Sequence, residues 1–195
     1  MANAVLHSRR SLSSKAPHLP VSSSLLLAAV LAARVLANDA APTNSCPVLA
    51  PFELRDQYNA AHRVSFPASN VTVMTVADKK GSEQIDGWVA PLKTRYSSRI
   101  AITGLADVST VPSPLRSLVR EKFKRRIAYP VILDWHGPVA RQFNYLKDRA
   151  NVFVIDREGR VTGRWAGAAT EADLHALFAA VDLALSTPPA AASKP

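Results

Sequence analysis

Lys79, Lys80 and Ser82 flank Gly81 in the segment Asp78–Glu83, DKKGSE. Two ammonium groups and a hydroxyl around a glycine, where a helix is about to begin, are the ingredients of a site for a small anion such as phosphate or carboxylate. The first amide N–H groups of a helix are unpaired and aligned with its dipole. The Gly-rich GxxxxGK[ST] phosphate loop is absent. Asp134-Trp135-His136 brings a carboxylate and an imidazole together. It reads either as an acid–base pair or as a surface loop whose polar groups serve its own backbone. His62 and His175 are isolated, and no second His or Cys stands at metal-ligand spacing, so neither a metal nor a cofactor is expected. The single cysteine, Cys46, has no basic neighbour and no helix terminus to lower its pKa. It reads as an inert residue, as half of an intermolecular disulfide or as a functional thiol. Thr43-Asn44-Ser45 lacks the apolar residue that lipid attachment at Cys46 expects.

These groups need a scaffold, and the hydrophobic pattern supplies one. Val71–Ala77 is an apolar, β-branched run suited to a strand buried on both faces. Asp78–Gly81 breaks it, and Ser82 is placed to cap a helix running to Tyr96, with Glu83 in its first turn. Ile85, Trp88, Val89, Leu92 and Tyr96 recur at helical spacing. Before this unit, Phe52–Tyr58 and Arg63–Phe66 are short strand-like pieces around a turn at Asn59. After it come a strand over 99–107 and a helix capped by Ser113 with Pro114 at its first position. That helix carries an apolar stripe of Leu115, Leu118, Val119 and Phe123. Its basic residues, Arg116, Arg120 and Lys124–Arg126, are expected to face away from it. Pro130–Asp134 reads as a strand and Pro138–Tyr145 as a short helix. Asn151–Asp156 and Val161–Trp165 form a hairpin about Asp156–Gly159, with Gly159 at the position needing positive φ. A last helix, started by Thr170 and Asp173, buries Leu174, Leu177, Phe178, Val181 and Leu185. The order predicts an α/β fold, a three-layer α/β/α sandwich with a mixed central sheet.

The ends of the chain differ from its middle. Residues 1–37 hold Arg9, Arg10, Lys15 and Arg34 and no acid, so the remaining 20 basic and 15 acidic groups reduce the formal +9 of the 195-residue chain to +5. Such a charge favours solubility or an acidic partner and is weak support for nucleic acid. No aromatic stripe for stacking single strands is present, and no nucleic-acid partner is expected. The basic opening followed by Leu25–Ala33 and the small residues near Ala37 reads as a signal peptide over 1–37, for periplasmic or secreted destinations. Ser8–Leu12, SRRSL, partly matches the twin-arginine motif. An organellar transit peptide is the rival reading. No run reaches the roughly 18 apolar residues that span a bilayer, so no transmembrane segment is expected in the mature chain. Residues 38–51 read as a flexible linker, 52–185 as the folded domain and 186–195 as a disordered tail.

Four phrases in this order resemble those of thioredoxin-fold redoxins and peroxiredoxins, the alkyl hydroperoxide reductase and thiol-specific antioxidant family. They are Phe52–Tyr58, FELRDQY; Pro130–Gly137 with Val139-Ala140; Phe153–Val161, FVIDREGRV; and Gly167. The resemblance covers Phe52 to about Leu185 and implies a thioredoxin-like fold with a Cys-x-x-Cys turn after the first core strand. An ungapped match puts Lys80-Gly81-Ser82-Glu83 at that turn, and neither Lys80 nor Glu83 can replace a thiolate. The cis-proline of the family falls on Ala150. A cis bond before a non-proline residue costs ~2.5–4 kcal/mol, so a trans peptide is expected there. The resulting expectation is an exported binding or accessory module that meets a periplasmic protein or a small anion near Lys80 and Ser82. The alternative is a thiol-dependent oxidoreductase or peroxidase that uses Cys46 or a partner's thiols.

Overall fold

The computed structural model describes residues 48–188. Two strands, β1 (Phe52–Arg55) and β2 (Ala61–Val64), form an antiparallel hairpin turned by Asn59 at φ 67°. The main sheet holds β3 (Thr72–Ala77), β4 (Ala101–Asp107), β5 (Val131–Asp134), β6 (Asn151–Ile155) and β7 (Val161–Ala166) in the order β5-β4-β3-β6-β7. β4 runs parallel to β3 and β5, while β6 is antiparallel to β3 and β7. Helices α1 (Asp86–Tyr96), α2 (Arg116–Arg126), α3 (Pro138–Gln142) and α4 (Glu171–Ser186) connect or close these strands. The mixed sheet between flanking helices is the architecture the sequence predicts.

β3 lies at the centre of the sheet and all six of its residues are buried, as its alternation-free apolar run requires. Its Val73 faces α1 and α4, where Trp88, Leu92, Tyr96, Leu177 and Val181 close one core. Met74 and Val76 face the other way, against Val139, Phe143, Phe153 and the β1–β2 hairpin. Trp88 is fully buried, and its indole N–H donates to the Gly167 carbonyl, so burial of the ring leaves no unpaired donor. Thr170 caps α4 by accepting the Asp173 amide, as expected. Gly159 takes φ +88° in the β6–β7 turn, also as expected. The packed region begins ahead of β1, where Leu49 is buried and its amide donates to the Gly159 carbonyl.

Three local readings need correction. Residues 81–84 form a 3₁₀ turn and α1 starts only at Asp86, so Ser82 caps nothing; its hydroxyl donates to the Lys79 carbonyl. On α2 the expected stripe is rotated. Leu115 and Leu118 are 49% and 60% exposed, whereas Arg116 and Arg120 are half-buried over the Trp135 ring. Arg116 and Arg120 take the inward position over the Trp135 indole, and Leu118 faces out. Ser113, expected to cap this helix, instead opens a separate 3₁₀ turn, Ser113–Leu115, and makes no capping hydrogen bond.

The outer edge of β5 is occupied by the chain leaving β1. Asp56 bridges to Ile132, and the fully buried Gln57 accepts the Val131 amide at 2.8 Å while donating to the Tyr129 carbonyl at 2.8 Å.

Candidate functional site

Each parallel strand ends in an aspartate, and each aspartate organises the loop after it. Asp78 follows β3, accepts the Gly81 amide at 2.9 Å through one oxygen and the Asp148 amide at 2.8 Å through the other. Asp107 ends β4, accepts the Ser109 amide at 3.0 Å and receives the Tyr145 hydroxyl. Asp134 ends β5, is fully buried, and accepts the amides of Gly137, Val139 and Ala140 at 2.8–2.9 Å. Its two oxygens therefore stabilise the start of α3, and the loop reading of Asp134-Trp135-His136 holds. His136 points to solvent rather than to the carboxylate.

The β3–α1 junction and the segment entering β6 meet at this same end of the sheet. Ala150 is buried and lies against Gly81: a Cβ on Gly81 would stand 2.1 Å from the Arg149 oxygen and 3.1 Å from the Ala150 nitrogen. The Ala150 amide donates to the Gln84 side chain at 3.1 Å, and its carbonyl accepts the Gly167 amide at 2.8 Å. Among the described residues the cis peptide bond is Phe66–Pro67, so the bond before Ala150 is trans. The structure thus brings Lys80–Glu83 and Ala150 together, two segments some seventy positions apart in sequence. Cys46 lies outside the described residues.

The chemistry available at the junction is limited. The Gly81, Ser82 and Glu83 amides donate to the Asp78 side chain, the Asp78 carbonyl and the Lys80 carbonyl, so none of these three is left to hold an anion. Lys80 pairs with Asp148 at 3.2 Å, both well exposed, an interaction worth only ~0–1 kcal/mol. Ser82 and Glu83 are exposed, and among the described residues the Ser82 hydroxyl meets the Lys79 carbonyl rather than a base, while Glu83 enters no ion pair. Among the described residues no group of three or more His, Cys, Asp or Glu is arranged to hold a metal. His62 instead meets the buried Asp56 at 2.7 Å, and His175 is exposed beside Glu171.

Asp107, at this end of the sheet, and Asp56, on the chain leaving β1, are both shifted by their surroundings. Burial pushes Asp56 up, but the hydrogen bond from His62 and the amides of Ala60 and Tyr58 outweigh it and hold the group below its ordinary value. Asp107 is likewise held low, its burial overcome by Ser109 and Tyr145. Burial and the Asp107 carboxylate together push the Tyr145 phenol well above its usual range.

No family model matches the sequence, and no curated protein matches it. Solved structures do. A protein described as thiol:disulfide interchange protein DsbE from Chlorobium tepidum superposes with a TM-score of 0.55 at 17% identity, over 73% of this chain and 99% of its own. The exposed lipoprotein thioredoxin Etrx1 of Streptococcus pneumoniae gives 0.53 at 14% identity, over 66% and 97%. The chain has a thioredoxin-like fold. StoA from Bacillus subtilis gives 0.53 at 12% identity over 68% of this chain and 99% of its own, and at such identities the likeness concerns the fold alone. Sequence reasoning singled out Lys80–Glu83 and Ala150, two segments that the fold brings together. It missed the tethers Asp78, Gln84 and Asp148; for Asp78 the signal was an aspartate at or just after the end of the expected strands 71–77, 99–107 and 130–134.

Proposed function

We propose that the protein is an exported thioredoxin-like binding or accessory module that works without dithiol chemistry. The observation carrying this reading is the β3–α1 junction. Lys80-Gly81-Ser82-Glu83 stands there without a thiol, and Gly81 is packed against the Arg149 carbonyl where an open, nucleophilic turn would be needed. With its amides already paired, the junction suits a protein surface better than a small anion. The exposed Lys80, Ser82 and Glu83 side chains then form its contact points. Export rests on the basic, acid-free opening and the apolar run Leu25–Ala33. It is in keeping with the description of Etrx1 as an exposed lipoprotein. Among the described residues no helix is long and apolar enough to cross a membrane.

Insulin-reduction and peroxide-consumption assays on the full chain test this reading. The expected result is turnover at background, unchanged by Cys46→Ser. Turnover above background that vanishes in Cys46→Ser would establish the thiol-dependent alternative and overturn the proposal.

A further inference from the structure

Helix α2 carries six basic residues and one acid, and Glu121 is already engaged by Lys124 at 2.8 Å. The arginines of its inner face do not meet carboxylates. Arg116 and Arg120, one turn apart, place their guanidinium carbons 5.4 and 5.9 Å from the Trp135 ring. Arg116 also donates to the Trp135 carbonyl at 3.3 Å, and Arg141 donates to the next carbonyl, that of His136, at 3.1 Å. Three guanidinium groups therefore converge on the loop after β5. Among the described residues none of them lies within 4.0 Å of an acidic group. The Nε atoms of Arg116 and Arg120 are buried out of a partner's reach with no acceptor among the described residues, but both side chains are only half-buried, so a partner would meet the remaining guanidinium donors.

An arrangement that concentrates positive charge without an internal counter-charge is complementary to carboxylates, which a guanidinium fork holds in bidentate fashion. Beside it, Leu115 and Leu118 present apolar surface to solvent. The cavities beside Phe143 and beside Tyr129 are lined by other residues. Leu118 on an 11-residue helix whose Val119 and Phe123 are half-buried, with Leu115 in the turn before it, gives too narrow an apolar face to enter a lipid surface. We propose that the Arg116–Arg120–Arg141 cluster, with Leu115 and Leu118 at its flank, docks an acidic polypeptide segment that carries apolar residues among its carboxylates. This surface is separate from the Lys80–Ala150 junction and does not depend on the reading given for it.

The test is fluorescence polarisation with a labelled Glu/Leu peptide and the full-length chain, in parallel with a Lys/Leu peptide, inorganic phosphate as competitor and vesicles containing phosphatidylglycerol. The Glu/Leu peptide should bind, weaken as salt is raised, and lose about tenfold or more in affinity in Arg116→Gln/Arg120→Gln. Lys80→Ala should bind as the parent does. Should the double variant fail to fold, Leu118→Glu serves instead: its side chain is exposed, and a new carboxylate there should weaken the peptide several-fold without a change in Tm. Absence of Glu/Leu binding, equal binding by Leu118→Glu, or stronger binding to the vesicles than to the peptide would overturn the proposal. Full displacement by millimolar phosphate would do the same, by reducing the site to one for any oxyanion.

Discussion

Replacing Gly81 by alanine isolates the contact that closes the β3–α1 junction. Its backbone does not occupy the left-handed region, so the cost of the substitution is steric. The new Cβ would meet the Arg149 oxygen at 2.1 Å and the Arg149 carbonyl carbon at 2.4 Å. Both are backbone atoms, so no side chain can swing aside. Reaching the 3.0 Å that real contacts respect requires the two segments to separate by about 1 Å. Three hydrogen bonds span or brace that gap: Gly81 amide to Asp78, Asp148 amide to Asp78, and Ala150 amide to Gln84. Weakening two or three of them, at ~1 kcal/mol each, together with lost packing at the buried Ala150, places the destabilisation at about 2–4 kcal/mol. Equilibrium urea unfolding of the full-length chain measures it. Hydrogen exchange should also show faster exchange at the amides of Asp148 and Ala150, while those of β3 stay protected. Ser82→Ala, at the exposed neighbour, is the control and should stay within about 0.5 kcal/mol. If Gly81→Ala proves as stable as that control, the junction is not closed as described, and an open nucleophilic turn becomes tenable there.

Asp134→Ala leaves the amides of Gly137, Val139 and Ala140 without acceptors and should cost about 2–4 kcal/mol in urea unfolding, with loss of helical signal from α3; a loss under about 1 kcal/mol would refute the capping role. Asp56 and Asp107 are held below their unfolded values, so their contribution is present above the unfolded carboxylate pKa and is lost as pH falls through the folded values. The urea midpoint should therefore fall steeply below about pH 4, and Asp56→Asn should flatten that limb; an unchanged limb would mean that Asp56 contributes nothing to it. Tyr145 is raised in the fold, so its contribution is complete below the unfolded phenol value and is lost as pH climbs through the folded one. Tyr145→Phe should cost about 1 kcal/mol at neutral pH and reduce the alkaline loss that begins near pH 10, and an unaltered alkaline limb would contradict the assignment.

The order of strands and helices was legible because each core element announces its own periodicity: β3 by an unbroken apolar run, α4 by Leu174, Leu177, Val181 and a Thr170 cap. The meeting of Gly81 with Ala150 was legible only through the resemblance, since no local pattern links segments so far apart. The orientation of α2 was not legible. Its apolar residues suggest one phase, and the choice between burying Leu118 and stacking Arg116 and Arg120 on Trp135 depends on where the indole of a distant loop comes to rest. The anion reading of Lys79–Ser82 rested on free amides. It could not anticipate that Asp78 would turn its carboxylate back onto Gly81.

The arrangement around Gln57 bears on how this protein behaves when crowded with its own copies. β5 is the terminal strand of the main sheet, with Val131, Ile132 and Leu133 all buried, and a bare strand of that kind is a template on which another chain can add. The Gln57 amide imitates one rung of a neighbouring strand: its oxygen takes the Val131 N–H and its nitrogen donates to the Tyr129 carbonyl. Pro130 stands just before the apolar run and has no amide N–H to offer an incoming strand. Together with the Asp56–Ile132 bridge, this one uncharged side chain keeps the edge covered, so position 57 bears on the colloidal behaviour of the protein as well as on its fold.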